Sequence, residues 1–346
     1  MFFIQSCKHS FNLHFLVLPY LDEVEIYFFE MTIYSDNFKQ QFYGVLVSLI
    51  NELIVSFVQL LPKSIVKQFS NRYIAGDSLQ DAVRVVKELN KKGIHATVDV
   101  LGEAISSKEE ATASKQACSD VLDAIRKLQL KANLSIKPTQ MGLKLDEQFC
   151  YEQVLSLVEK SKAMHSFVRL DMEDSSCTDA TFRLLKKLRE THDNCGVVVQ
   201  AYMRRTLSDV IALNALKPNI RLCKGIYIEP VAIAFKDKEE IRKNYLEVLK
   251  WMFENKNYVG IATHDSFLID EAIKLIDALK IPRDAFEFQM LLGVREDLRD
   301  YLAESGYKVR VYVPFGKDWY LYSIRRLKEN PNIAGQIVKN LFTRNR

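Results

Sequence analysis

What the sequence lacks narrows it first. Its six cysteines (Cys7, Cys118, Cys150, Cys177, Cys195, Cys223) form no CxxC pair and lie far apart, which fits reduced thiols in a cytoplasm and neither a disulfide framework nor a zinc cluster. The six histidines show no pairing at ligand spacing, so no metal site is signalled. No GxGxxG and no GxxxxGK[ST] occurs, which removes the Rossmann pyrophosphate turn and the P-loop. Charge of one sign is scarce too: 48 Lys and Arg against 44 Asp and Glu give +4, and no basic block tracks a phosphate backbone, so nucleic acid is not an expected partner. No clean membrane span is present. The nearest run, "FYGVLVSLINELIVSFVQLLP" (42–62), is broken by Asn51, Glu52 and Gln59 and reads as an amphipathic or core helix. "FNLHFLVLPYL" (11–21) lacks a small-residue cleavage pattern and is not read as a signal peptide.

What is present is a rhythm. From residue 94, eight short apolar runs alternate with stretches of helical periodicity: "IHATVDVLG" (94–102), "NLSIKP" (133–138), "FVRLDM" (167–172), "GVVVQAY" (196–202), "NIRLCKG" (219–225), "YVGIATHD" (258–265), "AFEFQML" (285–291) and "KVRVYVP" (308–314). Rich in Val, Ile and Leu, they read as parallel strands buried on both faces. Eight βα units in this length predict an α/β fold, a (β/α)8 TIM-like barrel over residues 94–346, with an open doubly wound sheet as the rival. Residues 31–93 read as helices that precede the barrel. Residues 1–30 differ in character from the rest and are left unassigned; the sequence allows an extension or a start at Met31.

A barrel places its chemistry where strands end. Nearly every run closes on a polar residue: Asp99, Glu103, Lys137, Asp171, Glu173, Gln200, Lys224, Thr263, His264, Asp265, Gln289, Tyr312. Charge at a strand end is costly to desolvate unless it is paired or binds something. One reading is a Schiff-base lyase or aldolase using Lys137 or Lys224, which needs a lysine whose pKa is depressed by burial. A second feature is "YLYSIRRLKEN" (320–330), which sets Arg325 beside Arg326 and Glu329 close behind. Twin guanidiniums suit bidentate capture of a planar carboxylate.

Taken together, "VDVLGE" (98–103), "SIKPTQMGL" (135–143), "VRLDMEDS" (168–175), "VQAYMRRT" (199–206), "RLCKGIYIEP" (221–230), "ATHDS" (262–266), "FEFQMLLGVRE" (286–296) and "VRVYVPFGKDWYLY" with "RRLKEN" (309–330) resemble the proline dehydrogenases, in order, over about three quarters of the chain. The resemblance is to the monofunctional bacterial form. It implies a distorted (β/α)8 barrel preceded by helices. It also implies oxidation of L-proline to Δ1-pyrroline-5-carboxylate in proline catabolism, with hydride passing to N5 of FAD and electrons on to a membrane quinone.

Residue by residue, the resemblance implies carboxylate binding by Arg325, Arg326 and Lys137, with Glu329 steadying the cluster. It implies a proline-ring pocket of Tyr227, Tyr312 and Leu291. Arg221 falls near the flavin N5 and Asp171 in the active site, ordering polar neighbours. Met172, Gln200, Lys224, Gly225, Ile226, Thr263 and His264 fall on FAD-holding positions. Asp99 and Glu103 take a supporting role. Two departures stand out: Ile226 where the family commonly has alanine, and Cys223 where valine is usual. The family further implies a cytoplasmic protein with peripheral contact at the inner face of the cell membrane, and transfer of product to a separate dehydrogenase.

Overall fold

Short polar residues start the helices. In the computed structural model, which describes residues 66–67, 70–102, 105–320 and 322–324, Ser78 caps α1 (Leu79–Lys91) and forms a capping box with Asp81. Ser107 caps α2 (Lys108–Lys127), Asp146 caps α3 (Glu147–Lys162) and Asp174 caps α4 (Ser175–Arg189). Each such oxygen accepts from an amide that the first turn leaves without a partner. After α5 (Thr206–Leu213), Asp237 caps α6 (Lys238–Glu254) in the same way; α7 (Ser266–Ala278) and α8 (Glu296–Glu304) follow.

Between these helices run β1 (His95–Val100), β2 (Ala132–Ile136), β3 (Val168–Leu170), β4 (Cys195–Gln200), β5 (Asn219–Cys223), β6 (Val259–Ala262), β7 (Phe286–Leu291) and β8 (Val309–Phe315). All neighbours pair in parallel, and β8 closes on β1 with Arg310 opposite His95 and Phe315 opposite Val100. The closed barrel is the architecture the rhythm predicts, and the open sheet is excluded. Of the helices expected over 31–93, α1 is described; residues 1–65 lie outside the described residues, the apolar run 42–62 among them. Among the described residues no helix is long and apolar enough to cross a membrane.

The strands differ from the expectation in one respect. Most of their apolar residues point outward, under the helices, where Val168, Leu170, Ile220, Leu222, Val309, Val311, Phe286 and Phe288 form the core. Many of the alternate residues, which face the barrel axis, are polar. Arg169, Glu287, Arg310, Thr97, Ser135 and Asn133 are all buried there. Burial on both faces therefore holds, but the inner layer is a charged network instead of an apolar plug.

Two glycines make that network fit. Arg169 reaches from β3 across Gly196 of β4 to the Asn219 carbonyl at 2.6 Å. A Cβ at Gly196 would lie 2.1 Å from that carbonyl oxygen and 3.1 Å from the guanidinium. Arg221 reaches from β5 across Gly260 of β6 to Gln289 of β7. Side chains cross these strands because no side chain stands in the way.

Candidate active site

At the carboxyl ends of the strands the inner residues form one linked cluster. Lys137, just past β2, donates to both oxygens of Asp99 on β1, at 2.8 and 2.7 Å. Its ammonium stands 3.5 Å from the hydroxyl of Tyr312 on β8. That hydroxyl donates to Asp171 Oδ2 at 2.8 Å, across the barrel mouth. The other oxygen of Asp171 accepts from Ser135 at 2.5 Å and from Arg221 at 2.8 Å. The Arg221 guanidinium also lies over the Tyr312 ring, 5.3 Å from its centre. Asp171 thus gathers a hydroxyl, a phenol and a guanidinium.

Burial sets the electrostatics. The Asp99 side chain is 1% exposed and Lys137 16%. Burial raises the Asp99 carboxyl pKa, while Lys137 pulls it back. Burial alone would depress Lys137, but Asp99 and Asp171 outweigh it and hold its pKa above the ordinary lysine value. The lysine stays an ammonium, and one of its three N–H donors is not taken by Asp99. Tyr312 is likewise pushed well up, by burial and then by the Asp171 charge, so it remains a phenol donor.

A cavity of about 1050 Å³ opens over this cluster. Lys137, Asp171, Arg221, Tyr227, Leu291 and Tyr312 line it together with Met172, Gln200, Lys224, Gly225, Ile226, Thr263 and His264. The structure therefore brings these substrate-, flavin- and catalytic-position candidates into one cavity, while Asp99 and Glu173 lie outside its lining. Gln200 donates to the Glu173 carbonyl at 2.9 Å. His264 accepts from the Leu291 amide at 2.9 Å, tying the ends of β6 and β7 together. Gly225, at φ +106°, takes the sharp turn out of β5 beneath the Tyr202 ring, which a Cβ would strike at 2.0 Å. Ile226 is 49% exposed and lines the same cavity. Cys223 sits at the end of β5, its thiol pushed up to about 11 by burial, an inert packing residue.

Arg325, Arg326, Glu329 and Glu103 lie outside the described residues. Several residues that the sequence reading gave no defined chemistry acquire partners here. Asp99 is the partner that holds Lys137. Asp265 is chelated by Arg242 at 2.7 and 3.0 Å, with Lys224 at 3.4 Å, on the cavity wall. Glu173 accepts from both the amide and the hydroxyl of Thr139. Tyr73 also lines the cavity, its buried hydroxyl without a hydrogen-bond partner among the described residues. It lies ahead of the first strand-like run, and no chemistry attaches to a lone tyrosine in a sequence.

The Schiff-base reading does not fit this geometry. A nucleophilic lysine must shed its proton, whereas Lys137 is held protonated by two carboxylates. Lys224 is 40% exposed and faces Asp265, which is not the dry apolar setting such a lysine needs. Among the described residues, no group of three or more His, Cys, Asp or Glu could hold a metal ion.

Fold and site define a (β/α)8-barrel enzyme with its working residues at the carboxyl-terminal mouth. Residues 82–339 match the family model described as proline dehydrogenase, and the chain belongs to that family of oxidoreductases. It is 37% identical over 273 residues to proline dehydrogenase 1 of Bacillus subtilis strain 168, covering 79% of this chain and 90% of that one. It is 35% identical over 290 residues to the proline dehydrogenase of Deinococcus radiodurans, covering 82% and 94%. Among solved structures, it superposes on proline utilization A (PutA) from Bdellovibrio bacteriovorus inactivated by N-propargylglycine, with a TM-score of 0.72 and 26% identity over 76% of this chain. The chain spans about a third of that protein's length, 33%.

Proposed function

We propose that the cavity binds L-proline against FAD and oxidises it to Δ1-pyrroline-5-carboxylate. The observation that carries this reading is the Asp99–Lys137–Tyr312–Asp171–Arg221 cluster at the floor of a cavity that suits a dinucleotide and a small acid. The donor set suits FAD. Lys224 and Arg242 stand beside the Gly225 turn, where a pyrophosphate could approach backbone and cation together. The Gln200 side-chain oxygen faces no donor among the described residues, because only its amide nitrogen is spent on Glu173. Met172, Val198, Met290 and Leu291 give apolar walls. When bound, FAD supplies the hydride acceptor, and a membrane quinone its onward electron acceptor.

The chain's own residues do the rest. Lys137 turns its ammonium charge toward the substrate carboxylate, and Arg325 and Arg326 complete that grip. Tyr227, Tyr312 and Leu291 enclose the ring. Tyr312, its hydroxyl fixed on Asp171, fills the place a ring hydroxyl would need, so proline is preferred over 4-hydroxyproline. Arg221 places positive charge where the reaction gathers negative charge, in a site short of water. Asp171 holds Tyr312 and Arg221 at fixed angles, and positioning of this kind contributes much of a rate enhancement.

Supporting FAD and proline would be a purified protein that is yellow, absorbs at about 450 nm and bleaches anaerobically on addition of proline. A colourless protein, or one that proline leaves oxidised, ends the reading. The peripheral membrane contact, cytoplasmic location and transfer of product to a separate dehydrogenase belong to the same proposal. Liposome flotation with no association in either redox state would remove the membrane part.

A further inference from the structure

We propose that Gln289 is a positioning residue for Arg221, and that Gly260 stands in β6 to let it reach. The proposal rests on the reading of Arg221 given above. Two hydrogen bonds fix the Arg221 guanidinium. One end is held by Asp171 at 2.8 Å; the other, Nε, donates to Gln289 Oε1 at 2.5 Å. Gln289 Nε2 donates in turn to Glu287 Oε1 at 2.6 Å. Arg310 grips the same carboxylate at 2.7 and 3.1 Å, and also donates to the Ala96 carbonyl at 2.7 Å. A buttress therefore runs from β1 and β8 through β7 to β5, inside the barrel and below the cavity.

The amide suits this place for a reason of charge. An ionised carboxylate only accepts and a guanidinium only donates, so Gln289 can sit in one orientation alone. Arg310 and Lys308 hold Glu287 ionised against its burial. The neutral amide keeps that carboxylate off Arg221, whose own charge stays turned toward Asp171 and the cavity while its plane is fixed. Gly260 is the second observation. A Cβ there would lie 2.5 Å from Gln289 Nε2 and 3.5 Å from Arg221 Cα, in the path of the bridge. Without Gln289, Arg221 pivots about Asp171 alone.

The test uses the full chain loaded with FAD. The Q289L variant is expected to keep its circular dichroism and its FAD. Its flavin should be reduced by saturating proline about tenfold more slowly, with KM for proline moving less than about threefold. Its redox equilibrium should shift about tenfold against the reduced flavin, which is about 30 mV for two electrons. The Q289E variant adds a pH signature. Its protonated acid repeats the amide's donor and acceptor, whereas its ionised form faces Glu287 with Arg221, Asp171, Arg310 and Lys308 around it. It should run near wild type at low pH and lose rate as pH rises through a new ionisation. A Q289L protein with wild-type rate and potential overturns the proposal, and so does one that only melts earlier. If Q289L does not fold, Q289E decides: a new ionisation upholds the bridge, and a wild-type pH profile refutes it. Wild type that proline cannot reduce refutes the proposed reaction instead, and the potential shift then judges the bridge alone.

Discussion

Replacing Asp99 with asparagine tests the pairing that organises the cavity. Asp99 and Lys137 are 1% and 16% exposed, so little water screens them. Removing one member of a buried ion pair costs about 3–5 kcal/mol, because the other charge is left uncompensated. Asparagine keeps the shape and one acceptor oxygen, and Asp171 still attracts the ammonium, so the expected loss is about 2–3 kcal/mol. At about 2–4 °C per kcal/mol for a large domain, the melting midpoint should fall by about 4–12 °C. The sharper readout is the response to substrate. A ligand carboxylate would restore the missing charge beside Lys137, so saturating L-proline should raise the midpoint of D99N by more than it raises wild type. Scanning calorimetry with and without proline measures both. A D99N midpoint within about 1 °C of wild type, or an equal gain from proline, would refute the reasoning.

Three further outcomes are expected. R325A or R326A should raise KM for proline by roughly a hundredfold, the loss of a bidentate charged contact, while flavin absorbance persists; unchanged proline kinetics would remove the carboxylate role. His95 is pushed down to about 4 by burial and then by Arg310 and Lys308, so the folded state holds it neutral while the unfolded chain protonates near its ordinary value of about 6.5. Stability from this group is present above that value and lost as pH falls toward about 4, the pKa of folded His95. H95N should therefore lose less melting temperature than wild type between neutral pH and about 4, and parallel losses would dismiss the effect. G196A pushes a Cβ to 2.1 Å from the backbone carbonyl of Asn219, which cannot step aside, and should cost about 3 kcal/mol or more. G260A meets the movable end of Gln289 and should fold; urea titrations showing the two equally stable would contradict this contrast.

The barrel was legible because each strand carries unbroken outward-facing hydrophobics such as Val197, Val199, Ile220 and Leu222, set between polar caps such as Asp146 and Asp174. Much of the rim was legible as well, since a polar residue at a strand end is visible in one dimension. The inner layer was harder to read. "FVRLDM", "FEFQML" and "VRVYVP" do alternate, but an arginine inside a strand reads as solvent-facing until the strand is known to close on itself. Asp99 and Lys137 are 38 residues apart, and Arg221 and Gln289 are 68 apart. Only the register that sets Asp99 beside Ser135, and Arg221 beside Gly260, brings these pairs together. The two glycines are intelligible for the same reason, because their neighbours in space come from strands on either side.

That inner layer also carries an imbalance that bears on its purpose. Lys137, Arg169, Arg221 and Arg310 supply four positive charges, of which Lys137, Arg221 and Arg310 each pair with a carboxylate, Asp99, Asp171 and Glu287. Arg169 is the one without a carboxylate partner among the described residues: it is 1% exposed and bonds to neutral acceptors, the Val197 and Asn219 carbonyls and the Asn219 side chain. Burial and the repulsion of Arg221 lower it to about 9, still charged at neutral pH. A protein that needed only a stable barrel would gain by filling this space with apolar side chains, since buried ion pairs rarely stabilise over well-packed hydrophobics. A buried cation left without a carboxylate partner below a cavity has a different use. It makes the cavity floor favourable to an anion before any ligand arrives, so neither a substrate carboxylate nor an electron-rich cofactor must reorganise the protein to be accommodated.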